Sequence, residues 1–160
     1  MKNLFLFLFF SLLGFNNILA QEKNKTISFV LVVDGEVLNA NTNITFLINS
    51  ENSGDKILAT YYPGKLSLSQ ADYEKLISDD TKSMYLRYNQ SNYTNGKINS
   101  CDFLIEYNKI WIQDIYNILR LYNLEKGKYK NKIEPLSKTK NYTFEVESSR
   151  SNVTGEKKLG

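Results

Sequence analysis

The apolar residues of this chain arrive in short runs of β-branched and aromatic side chains, each closed by a turn signal. That pattern points to an all-β architecture before anything else is considered. Thr26–Val33 (TISFVLVV) is the first run, and the Asp34-Gly35 after it is a strong two-residue hairpin signal. Glu36-Val37-Leu38 begins the return, Asn39–Asn43 reads as loop or bulge, and Ile44–Ile48 resumes the sheet. Asn49–Asp55 is a turn cluster and Lys56–Tyr62 the next strand. Pro63-Gly64 stops that strand, because proline has no N–H to give a central ladder.

One helix interrupts the strands. Ser69 is a good N-cap, with Asp72 three residues on, and Tyr73, Leu76 and Ile77 follow at helical spacing. A short helix near residues 70–78 is therefore predicted. Strand character returns at Ser83–Tyr88, a polar loop is expected over Asn89–Gly96, and Ile98–Tyr107 follows. Cys101, Phe103, Ile105 and Tyr107 alternate with polar neighbours, as one buried face of a strand requires. Ile110–Leu124 fits either a helix or a strand. Its β-branched and aromatic content, with no evident N-cap, favours strand. Asn123–Gly127 then reads as the turn of a hairpin between Tyr116–Leu124 and Lys128–Ile133, and Tyr142–Glu147 closes the sheet.

About eight short strands at 8–12-residue spacing predict a mainly β fold, a single β-sandwich of immunoglobulin-like or transthyretin-like layout. Asp34-Gly35-Glu36-Val37 resembles the opening of transthyretin-like regulatory modules of secreted bacterial proteins. The likeness covers about ten residues and carries no function over.

The segment before the first strand has a different character. Met1-Lys2-Asn3 supplies one positive charge, Leu4–Leu13 a short apolar core, and Ala20 a small residue before the polar Gln21-Glu22-Lys23. This is the pattern of a secretory signal peptide over residues 1–20, cleaved so that the mature chain starts at Gln21. The expected organisation is then one domain over 21–148 and a disordered tail over 149–160. The expected location is the periplasm or the extracellular space. Asn16 and Asn17 break the apolar run, which argues against an uncleaved anchor, and no later stretch approaches the roughly 20 apolar residues a spanning helix needs.

Composition narrows the chemistry. Without Lys2 the remaining 19 basic and 17 acidic residues leave a net charge of +2, which points to no nucleic-acid partner. Histidine is absent, which removes the commonest general base and metal ligand. Cys101 is the single cysteine, so no intramolecular disulfide can form and the core must hold the fold. Its thiol, sharing a face with Phe103 and Ile105, reads as a small buried hydrophobe with no activator. No calcium loop, nucleophile elbow or phosphate-binding glycine loop occurs. No cofactor is expected, and an enzyme is not. Six N-x-S/T sites, at Asn24, Asn43, Asn89, Asn92, Asn141 and Asn152, follow from an asparagine-rich composition.

Two features carry binding readings. Lys126, Lys128, Lys130 and Lys132 recur every second residue, so on a strand all four ammonium groups share one face, a patch that Lys138 and Lys140 can extend. Such a stripe either blunts an edge strand against aggregation or attracts an anionic surface, and edge protection is the commoner use of lysine. Trp111, with Tyr107 and Tyr116 near it, is either core or a stacking platform for sugar rings. The leading expectation is a secreted or periplasmic non-catalytic protein of interaction or structure, its partner an envelope or extracellular protein or glycan. A carbohydrate-binding module and, further off, a small hydrolase using carboxylates are the alternatives.

Overall fold

The structure, a computed structural model, describes residues 23–94, 96–129, 132–150 and 152–154. The leader at 1–20, Lys130 and most of the expected tail lie outside the described residues.

The chain is mainly β, with 52% strand and 10% helix, and its strands follow one path nearly closed into a barrel. The strands are β1 (Asn24–Val33), β2 (Glu36–Val37), β3 (Thr42–Ile48), β4 (Asp55–Tyr62) and β5 (Lys65–Ser69), then helix α1 (Gln70–Ile77). After it come β6 (Met84–Thr94), β7 (Lys97–Glu106), helix α2 (Lys109–Ile112), β8 (Asn117–Asn123), β9 (Tyr142–Ser148) and β10 (Asn152–Thr154). The path runs β10-β9-β8-β1-β5-β4-β3-β6-β7, with β2 paired to β1 off it.

The first strand explains why a single sandwich is not established. Asn24–Ser28 pair antiparallel with β5, whereas Phe29–Val33 pair parallel with β8. One strand thus belongs to both halves of the structure and carries the ladder around the core. Asp34 and Gly35, at φ 55° and 87°, form the β1–β2 turn, whose two positive φ angles match the twist of the flanking strands. Every second residue of β1 points inward, so Phe29 and Leu31 are fully enclosed, with Phe46 of β3, Tyr61 of β4 and Phe103 of β7.

Local signals located most elements. Ser69 Oγ accepts from the Asp72 N–H at 3.0 Å and donates to its carboxylate at 2.8 Å, which starts α1 where the cap residue predicted. Cys101, Phe103 and Ile105 are buried on one face of β7, as the alternation predicts. Pro63-Gly64 is a hairpin turn, and the strand after it, β5, carries no signal that the sequence reading registered.

Three expectations are corrected. The polar stretch after Tyr88 is ladder, not loop: Asn89 to Thr94 pair with Asp102 to Lys97 in a hairpin that runs past the core. Asn89, Ser91 and Lys97 to Ser100 are exposed, so the polar stretch shows no buried apolar alternation to reveal the strand. The Ile110–Leu124 segment is both helix and strand. Asn108 Oδ1 accepts from Ile110 N–H at 2.9 Å and caps α2, and β8 starts only at Asn117. Finally, Asn152–Thr154 form a strand against β9, within the stretch expected to be a disordered tail.

The predicted Lys128–Ile133 strand is also overturned among the described residues. Both sides of β8 are already taken by β1 and β9, which leaves no edge for another partner. The chain turns instead, with Lys126 N–H donating to Asn123 C=O, Tyr129 N–H to Lys126 C=O and Lys132 N–H to Tyr129 C=O, at 3.3, 2.9 and 3.0 Å.

Candidate functional site

The strand path has two ends, and the feature of interest lies where β7 at one end faces β9 near the other. Among the described residues one side chain hydrogen-bonds across this seam. Tyr142 Oη accepts from Leu104 N–H at 2.8 Å and donates to Leu104 C=O at 2.6 Å. Its ring stands edge-on to Phe103, centroids 5.2 Å apart. A hydroxyl can donate and accept at once, so it serves both main-chain groups of one residue, as the next strand of a ladder otherwise would.

A groove of about 670 Å³ opens on one side of this bridge, well within the roughly 300–1,000 Å³ of ligand pockets. Its floor is aromatic. The Asn108 cap turns Trp111 inward, edge-on to Tyr107 at 5.0 Å, and Tyr107 in turn stands edge-on to Phe46 of the core. The Asn117 amide donates to Trp111 C=O at 3.2 Å and fixes the helix end. Phe144 of β9, Leu104 and Met84 complete the apolar lining, with Leu136 supplied by the loop before β9. That loop is tied down where Leu136 N–H donates to Tyr142 C=O at 3.2 Å.

The rim is charged. Lys82, Lys109 and Lys140 border the groove, with Glu51 and Glu106. Lys109 Nζ lies 3.4 Å from the Asp79 carboxylate and donates to Ser78 C=O at 3.2 Å. Lys82 Nζ donates to Asp79 C=O at 2.7 Å, and Lys140 Nζ stands 5.5 Å from the Tyr142 ring centroid. Among the described residues neither Lys82 nor Lys140 has a carboxylate partner. The rim strand is positioned by Asn49, whose φ of 62° lets its side-chain oxygen accept from Lys82 N–H at 2.7 Å. Tyr107 Oη is buried without a hydrogen-bond partner among the described residues, and burial raises its pKa well above the ordinary value.

On the other side of the bridge a smaller cavity of about 320 Å³ lies between β7 and the chain after β8. Ile98, Ser100, Cys101, Asn123, Glu125 and Lys126 line it. Burial first, then the charges of Glu125, Asp34 and Asp102, push the Cys101 thiol up to about 11. It stays protonated near neutral pH and is a poor nucleophile.

The sequence candidates fall in different places. Trp111 is 8% exposed, so it is a wall of the groove rather than an open platform. Lys126 and Lys128 do not stand in a stripe but converge on the β1–β2 turn. Lys126 Nζ sits 2.5 Å from Asp34 Oδ2, and Lys128 Nζ lies 3.5 Å from Asp34 C=O. Lys132 is exposed on a turn. None of these three lines the larger groove; of its three lysines only Lys140 was part of the expected patch, as its extension. Lys82, Lys109 and Lys140 are far apart in the chain and share no pattern, so only the fold brings them together.

Among the described residues no cluster of three or more cysteine or acidic side chains is placed to hold a metal ion. No helix there is long and apolar enough to cross a membrane. Comparison with protein-family models, with curated proteins and with solved structures gives no match.

Proposed function

We propose that this chain is an exported, non-catalytic binding protein, mature from Gln21, that holds its partner in the seam groove. The observation that carries the reading is the groove itself, an aromatic floor of Trp111, Tyr107 and Phe144 beneath a rim of three lysines. Such a site gains affinity from apolar burial and orientation from a few charges, the usual division of labour in binding pockets. The leader pattern at 1–20 supports export, and the +2 balance of the mature chain speaks against nucleic acid.

The groups available for chemistry support a binding role over a catalytic one. The chain has no histidine, and its one cysteine is kept as thiol. Glu106, which borders the groove, is exposed.

Trp111 is the only tryptophan and lines the groove, so its fluorescence reports occupancy directly. The test is a titration of the mature protein with peptide, glycan and fatty-acid panels. A saturable change with one class supports the reading, and suppression of that change in Phe144→Ala places it in the groove. A tryptophan unresponsive to every panel, with no calorimetric binding, overturns it. Response to glycans alone would favour the carbohydrate-binding alternative.

A further inference from the structure

The class of partner can be read from the edge that the seam leaves open. In a regular antiparallel ladder both main-chain groups of a residue point the same way, and the direction alternates along the strand. Tyr107 N–H, just past β7, donates to Met84 C=O at 2.7 Å, toward β6. Leu104 turns both its groups to Tyr142 on the opposite side. Ile98, Ser100, Asp102 and Glu106 share the parity of Leu104 and therefore face the open edge. Among the described residues none of these four has a main-chain partner there; only Leu104 does.

An exposed row of unpaired main-chain groups is a template for another strand, and proteins usually blunt one with lysine, proline or a bulge. Here Ile98 to Glu106 contain none of these, and the β6–β7 register runs unbroken from Thr94↔Lys97 to Tyr85↔Glu106. The two cavities lie along this same edge, one beside Ile98 to Cys101 and one beside Leu104 and Glu106. A strand laid on β7 would send alternate side chains toward them.

We propose that the groove receives an extended polypeptide segment that adds as a strand to the β7 edge. Its apolar side chain seats against Trp111 and Phe144, and an acidic residue meets Lys82 and Lys140. This deepens the binding reading above and rests on it. The charge argument selects the partner, since among the described residues no carboxylate lies within ion-pair distance of either ammonium group. Main-chain hydrogen bonds supply affinity in this mode and the side-chain pockets supply specificity. Tyr142 occupies the one ladder position at Leu104 in the free protein and either yields to the peptide or punctuates it.

The test uses the full mature chain and synthetic peptides as long as β7, alternating valine or leucine with glutamate or threonine. Each peptide is paired with two forms N-methylated on alternate amides, in the two possible registers. The expected result is slowed amide exchange at Ile98, Ser100 and Asp102 on adding the unmodified peptide. One N-methylated register should bind about tenfold weaker or worse, as lost main-chain hydrogen bonds imply, and the other nearly as well. Ser100→Pro should also abolish protection while leaving the melting temperature close to the parent's, since that N–H lies outside the β6 ladder.

Equal binding of both methylated registers, or a Trp111 change without protection at the edge, overturns strand addition while leaving the groove as a binding site. No response to any peptide, with a saturable Trp111 response to dodecanoate or to a glycan, does the same. Only silence to every probe overturns both.

Discussion

From β5 to β7 the barrel wall is five strands in unbroken antiparallel register, whereas across the seam a single tyrosine hydroxyl stands where a ladder would run. Two tyrosines make the difference concrete. Tyr61 Oη donates to Leu38 C=O at 3.0 Å and accepts from Leu31 N–H at 3.4 Å, but Leu38 N–H already donates to Leu31 C=O at 2.8 Å. Tyr61 therefore reinforces a junction that the backbone has made. Tyr142 makes the one hydrogen-bonded junction at Leu104 among the described residues. The same side chain is supporting in one region and irreplaceable in the other, because what matters is how many main-chain groups would be left unpaired without it.

The largest effects should appear on the ladder side. Phe46 is fully enclosed between the β3 ladder and Tyr107, so Phe46→Ala should cost about 3–5 kcal/mol in chemical denaturation. A loss under about 1 kcal/mol, within the range of exposed sites, would show that the core does not lie there. The seam should break more gently and more locally. Tyr142→Phe keeps the ring against Phe103 but strands the Leu104 N–H and C=O, a cost of about 1–3 kcal/mol. Its signature is faster amide exchange at Leu104. Tyr61→Phe should cost less, and a reversed order of the two would remove the distinction drawn between them.

How much of this was legible in the sequence follows the same division. Elements with a local cause could be read: the Asp34-Gly35 turn, the Ser69 cap and the inward face of Cys101, Phe103 and Ile105 all declare themselves within a few residues. What failed depended on partners distant in sequence. The parallel pairing of Phe29–Val33 with Asn117–Leu121 leaves no trace in either segment, and it is what turns an expected sandwich into a near-barrel. The stretch Asn89–Asn92 just beyond Tyr88 is a run of four polar residues, so periodicity is silent there although the strand continues. The lysine alternation was a real pattern with the wrong cause, since the chain there turns to meet Asp34. Of the groove, the pairing of Trp111 with Tyr107 was legible and Lys140 was read only as part of a lysine patch, because lysines at 82, 109 and 140 are neighbours only after folding.

A second clamp near the seam gives a pH test. The Asp114 side chain is enclosed, bonded to the Ser149 hydroxyl, and accepts from Ile115 N–H at 3.0 Å and Arg150 N–H at 3.1 Å. The Ser149 hydrogen bond foremost holds its pKa down, to about 2 from 3.8, with Ser148 and the two N–H groups adding to the effect against its burial. A depressed folded pKa means stability that is fully present above about 4, the unfolded value, and lost as pH falls toward about 2. Asp114→Asn should flatten this acid limb and loosen the turn that leads to β10. An acid limb unchanged in that variant would assign the pH dependence elsewhere.

Cys101 sits at the border between the two regions, buried on β7 and lining the smaller cavity. With its thiol pushed up to about 11, alkylation at pH 8 should be slow in the native protein and fast in denaturant. Cys101→Ala should cost about 1 kcal/mol, the ordinary size of a small core truncation. Rapid native labelling would mean that the seam opens at this end far more often than at Tyr142.

The smallest effect belongs to the lysines. Lys126 and Lys128 both approach Asp34 of the β1–β2 turn, yet only Lys126 makes an ion pair there, with its own side chain about half exposed and that of Asp34 nearly enclosed. An exposed partner loses most of the Coulomb gain to water, so Lys126→Ser should cost well under about 1 kcal/mol, and less still at high salt. Lys132→Ser, on an exposed turn, should be neutral within measurement. The comparison between the two, read by denaturation at low and high salt, asks whether the segment after β8 is held to the barrel by charge. Should Lys126→Ser lose no more than Lys132→Ser at either salt concentration, that segment is held by the packing of Tyr129 against Tyr122, whose ring centroids lie 5.2 Å apart.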